Sequence, residues 1–69
     1  MDLIVNGKPQ NIDDQIKHIS ELLDYLGILN ESGGIAVAIN QSVISKTDWE
    51  SITLKAGDSV DIITARQGG

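Results

Sequence analysis

Cysteine and phenylalanine are absent from this 69-residue chain, which has one proline, one tryptophan, one tyrosine and one histidine. Without a thiol there can be no disulfide, thiolate metal site or cysteine nucleophile. The lone His18 has no cysteine or second histidine with which to complete a metal site, so it reads as an exposed residue at a helix start. Positive charge is also scarce: five basic residues face ten acidic ones, a net charge of −5. That balance opposes approach to phosphate backbones and anionic lipid, which argues against nucleic acid and membrane surfaces as partners. No apolar run approaches the roughly 20 residues of a bilayer span. The opening Met1-Asp2-Leu3-Ile4-Val5 has no basic region ahead of its apolar stretch, so a cytoplasmic, unprocessed protein is expected.

The chain does contain aliphatic residues, at an apolar fraction of 41% carried mainly by Ile, Leu and Val. A domain of this size buries only about 60% of the surface its unfolded chain exposes, so one core of modest stability is expected. Met1, Leu3 and Val5 alternate and run into Asn6-Gly7, a pair suited to a type I′ turn because both of its central residues need positive φ. A return strand over residues 8–12 follows, and Pro9, having no amide proton, assigns it to a sheet edge. Ile16, Ile19, Leu22, Leu23 and Leu26 recur at helical spacing, with Lys17, Glu21 and Asp24 on the opposite side. The spacing predicts one amphipathic helix over residues 18–26, ended by Gly27, with Asp13, Asp14 or His18 as its N-cap.

Residues 30–34 read as a loop. After it, Ile35, Val37 and Ile39 should face the core, and Asn40-Gln41 turns into a short strand around Val43 and Ile44. Thr47-Asp48-Trp49-Glu50 fits a capping box at the start of a helical turn, which would set the Trp49 ring over the sheet edge as a structural residue. Residues 52–54 suggest a brief strand, residues 56–58 a turn and residues 59–64 the last strand. This order excludes alternating βα units and predicts an α+β sheet with one helix packed across it. The domain is expected to occupy residues 1–64, with residues 65–69 expected as a flexible tail. Asp13-Asp14 serves capping and the helix dipole, and Gly33-Gly34 lacks the lysine and following helix of a phosphate loop.

The N-terminal strand ending in Asn6-Gly7, the helix around Glu21-Leu22-Leu23, the strand Val37-Ala38-Ile39-Asn40, the Gly57-Asp58 turn and the final Gly68-Gly69 together resemble the ThiS family, the sulfur carriers of thiamine biosynthesis. The resemblance covers essentially the whole chain and implies a ubiquitin-like β-grasp with a mixed sheet. The small sulfur-carrying subunit of molybdopterin synthase shares the fold and the diglycine, but usually has prolines shortly before it. Here Thr64-Ala65-Arg66-Gln67 stands there, more polar than is common in the thiamine family. A non-covalent ubiquitin-like binding module is the other alternative.

The resemblance implies that the working group is the Gly69 carboxylate and that this chain is a co-substrate rather than an enzyme. An E1-like adenylating enzyme would use ATP and Mg to form an acyl-adenylate on Gly69. A sulfur-donating enzyme would convert this to a thiocarboxylate, and a thiazole synthase would accept the sulfur. The chain itself would bind no cofactor or metal and would be a monomer when free. Gly68, Gln67 and Arg66 would enter the partner's active site, and glycine lets backbone pass through a narrow cleft. Five extended residues from Ala65 reach at most roughly 17 Å. For the body of the domain, an inward set of Leu3, Val5, Val37, Ile39, Val60 and Ile62 leaves Ile4, Ala36, Ala38 and Ile63 facing outward as one small apolar patch for a partner.

Overall fold

Asn6 and Gly7 have φ of 51° and 82°, and this pair of positive angles closes a two-residue hairpin between β1 (Asp2–Val5) and β2 (Lys8–Asn11). The computed structural model describes residues 1–28 and 34–64. The expected loop at residues 30–34 lies outside the described residues except for Gly34, as does the tail at residues 65–69. Within the described residues the chain continues through α1 (Ile19–Tyr25), β3 (Ile35–Ile39), β4 (Ser42–Ile44), a 3₁₀ turn (Lys46–Asp48) and β5 (Ser59–Thr64). The strands form one sheet in the order β2-β1-β5-β3-β4, antiparallel except where β1 and β5 run parallel at its centre. This is the β-grasp arrangement, and β2 with its proline lies at an edge.

The parallel ladder is short, pairing Ile4 with Ser59 and Val5 with Val60. Asn6 extends it. Its amide donates to the Val60 carbonyl at 2.9 Å, and its side-chain Oδ1 accepts the Ile62 amide at 2.7 Å. Alternation then buries Leu3, Val5, Val37, Val60 and Ile62 against Ile19, Leu22 and Leu23 of the helix, with Ile35 and Ile39 packed against the same cluster. Ile12 lies just past the end of β2 and is fully buried.

Helix α1 is one residue shorter at each end than its periodicity suggests, with His18 as N-cap and Leu26 as C-cap. The Glu21 carboxylate accepts the amides of Lys17 and His18, each at 3.0 Å, and the Trp49 carbonyl takes the amide of Ser20 at 3.1 Å. At the other end Gly27 is left-handed at φ 75°. The Gly27 and Ile28 amides bond the carbonyls of Asp24 and Leu23, a Schellman closure.

Three expectations need correction. Asp13 and Asp14 do not cap the helix: Asp13 accepts the Gln15 amide and Asp14 pairs with the terminal ammonium of Met1. The helical turn near Trp49 begins at Lys46 with Ser45 before it, so Thr47 lies inside the turn and the Thr47–Glu50 box does not form. The Thr47 hydroxyl approaches only Ser45 Oγ, at 3.5 Å. Residues 52–54 make one antiparallel bridge, Thr53 with His18, and the Leu54 amide donates to Lys17, so they brace the helix entry rather than join the sheet. The ring of Trp49 is buried, at 4% exposure, and its Nε1–H donates to the Ile44 carbonyl at 3.2 Å.

Candidate functional site

The four tail residues singled out in the sequence, Arg66, Gln67, Gly68 and Gly69, lie outside the described residues. What the structure gives is the place from which they depart. Strand β5 runs between β1 and β3, and its last residue, Thr64, pairs with Ile35 at the start of β3. The tail therefore begins at one end of a central strand, immediately after Ile63 and Thr64.

The sheet face turned away from the helix follows from register. Ala36 pairs with Ile63, Ala38 with Asp61 and Val43 with Ala38, so these five residues occupy adjoining positions on three strands. Ile63 is 64% exposed and Val43 80% exposed, while the two alanines leave the surface between them low. Ile4 also faces outward, at 38% exposure, but it is apart from Ile63. It stands beside Ser59, four residues along β5 from Ile63, a separation of about 13 Å. Its apolar neighbour is Pro9 on the edge strand. Of the four outward residues expected from alternation, the structure thus brings Ala36, Ala38 and Ile63 together and leaves Ile4 at the other end. Val43 joins the group although strand alternation did not single it out, because a three-residue strand carries too little pattern. Its pairing with Ala38 is the signal that places it there.

Two ion pairs among the described residues lie elsewhere, at the helix entry and at the N-terminus. His18 Nδ1 lies 3.1 Å from Glu21 Oε1 at the helix entry, where the Glu21 pKa is lowered chiefly by the Lys17 amide, with the His18 amide and ring adding to the effect. Asp14 is likewise lowered, by its hydrogen bond to the terminal ammonium and by that group's charge. Among the described residues no three His, Cys, Asp or Glu side chains gather as metal ligands, and no helix is long and apolar enough to cross a membrane.

The ThiS family model matches residues 3–69. No curated protein sequence matches the chain. Among solved structures, the crystal structure of the thiamine biosynthesis protein ThiS from Geobacter metallireducens is 31% identical, with all of each chain covered and a TM-score of 0.82. The solution structure of a thiamine biosynthesis protein from the same organism is also 31% identical, covering all of this chain and 88% of that one, with a TM-score of 0.81. A ubiquitin-like β-grasp shared over the full length and a family match running through Gly69 lead to one assignment: the chain belongs to the ThiS family.

Proposed function

We propose that this protein is a sulfur carrier of thiamine biosynthesis whose C-terminal Gly69 is adenylated and then converted to a thiocarboxylate. The observation that carries the reading is the family match, which extends from Leu3 through the diglycine at residues 68 and 69. The chemistry asks for little from the rest of the chain. A carboxylate is a poor acyl donor, because displacement would expel oxide. At an ordinary α-carboxyl pKa of about 3.5 it is ionised at neutral pH and can attack the α-phosphorus of ATP, releasing pyrophosphate. A hydrosulfide equivalent then attacks the acyl-adenylate carbon and expels AMP, leaving the thiocarboxylate.

Adenylation, with ATP and Mg, is the work of an E1-like partner, sulfur comes from a sulfur-donating enzyme, and thiazole synthase accepts it. The carrier is a cytoplasmic co-substrate, and it offers reach and recognition. Its docking surface is the outer sheet face at the root of the tail, led by Ile63, Ala36 and Ala38, with Ile4 at the far end.

The test is the intact mass after incubation with the cognate adenylating enzyme, ATP and a sulfur donor. A gain equal to the difference between sulfur and oxygen, mapped to the C-terminal peptide, supports the reading. An unchanged mass under conditions in which the enzyme sulfurates a known carrier removes it.

A further inference from the structure

Asp61 sits in the middle of the outer face, paired with Ala38 on β3 and flanked along β5 by Ser59 and Ile63. Across the small Ala38 side chain lies Val43. Asp61 is half-buried, and among the described residues it forms no ion pair. Lys8, the only lysine in any of the five strands, shares the inward side with Val5 and does not reach this face. Asp61 therefore borders apolar side chains toward β3, β4 and Ile63, with Ser59 and Asn6 on its other sides, in a chain whose net charge is −5.

We infer that this face docks a protein partner that brings a single Lys or Arg side chain onto Asp61 and apolar groups onto Val43, Ala38 and Ile63. The inference rests on the carrier reading and takes the adenylating enzyme as that partner. Docking an apolar surface here would strip water from Asp61, and a carboxylate desolvated without a counter-charge is strongly unfavourable. A partner lacking the cation is thus rejected, and one possessing it is selected and oriented. The same geometry argues against a second copy of the chain as occupant. A two-fold contact through this face would set Asp61 against or close to its own symmetry mate, at an interface between two molecules of like net charge. Continuity with the tail adds to the argument, because Ile63 precedes the tail by one residue and an enzyme that takes in the tail must pass over it.

The experiment measures binding of wild type, Asp61→Asn and Val43→Ser to the cognate adenylating enzyme at low and high salt, with sedimentation of each protein alone. Asp61→Asn should weaken binding about tenfold, equivalent to about 1.4 kcal/mol, and flatten the salt dependence of the association rate. Val43→Ser should weaken binding several-fold and leave the salt dependence as in wild type, since it removes only apolar contact. Equal binding and equal salt response for wild type and Asp61→Asn would overturn the inference, while sulfur gain by both would leave the carrier reading standing. A dimer of the free protein that Asp61→Asn tightens would make a second copy the occupant and also overturn it. Wild type that neither binds nor gains sulfur would sink the carrier reading and this inference together.

Discussion

At the scale of single residues, Trp49 joins three parts of the fold. It is buried in the main cluster, its indole N–H ties the 3₁₀ turn to the end of β4, and its carbonyl satisfies an amide in the first turn of the helix. Trp49→Ala keeps the backbone carbonyl but loses the ring, leaving a cavity and removing the hydrogen bond to the Ile44 carbonyl. The expected loss is about 3 to 5 kcal/mol, a large part of the stability of a domain this small. Chemical denaturation measures it, and a loss below about 1 kcal/mol would show that the ring is dispensable. Gln41 should respond in the opposite direction. It follows Asn40 in the turn between β3 and β4, and the two have φ of 74° and 50°, a region that costs a non-glycine residue about 1 kcal/mol. Asn40 repays this through its side chain, which donates to Asp58 and accepts the Ser59 amide. Gln41 is exposed, and no side-chain hydrogen bond is found for it among the described residues. Gln41→Gly should therefore raise stability by a few tenths to about 1 kcal/mol, and a lower melting temperature would refute the account.

At the scale of elements, the helix entry is held by one carboxylate. Glu21 accepts two backbone amides and faces the His18 ring, so its pKa is lowered from the ordinary 4.5, with the Lys17 amide the leading cause. A carboxyl whose pKa is lower folded than unfolded stabilises the native state above the unfolded value. That stabilisation is lost as the pH falls through the folded value. The melting-temperature gap between wild type and Glu21→Gln should thus be present near neutral pH and narrow below about pH 4.5. A gap that stays constant down to pH 3 would show that the carboxylate charge is not what caps the helix. The elements that were legible in the sequence are those whose signal is local. Asn6-Gly7 sets its own turn, Gly27 ends the helix, and residues 59–64 alternate for long enough to define a strand. Thr47 misled because the turn must begin as soon as β4 ends, where Trp49 bonds back to Ile44, and that constraint is tertiary. Residues 52–54 misled because Thr53 and Leu54 pair with His18 and Lys17 at the helix entry while Ile52 bonds back to Asp48, which no local pattern encodes. For the candidate surface, alternation identified the outward side of each strand. Separating Ile4 from Ile63 and adding Val43 required the register between strands.

At the scale of the whole molecule, folding and function should separate along the chain. Among the described residues, every buried hydrophobic side chain lies between Leu3 and Ile62. Deleting Gly68 and Gly69 should therefore leave stability within about 0.5 kcal/mol of wild type. Sulfur transfer should nevertheless vanish. The deletion makes Gln67 the terminus, shortens the reach by roughly 7 Å and puts a branched carboxamide side chain where bare backbone has to enter the adenylating cleft. Gly69→Ala should fold normally and react more slowly, because the carboxylate survives with a methyl group beside the reacting carbon. Denaturation curves and intact masses on the same three proteins make the comparison. Matching stabilities with sulfur gained fully by wild type, slowly by Gly69→Ala and not by the deletion are expected. A deletion variant that still acquires sulfur would disprove the tail as carrier, and one that fails to fold would show that the tail belongs to the domain.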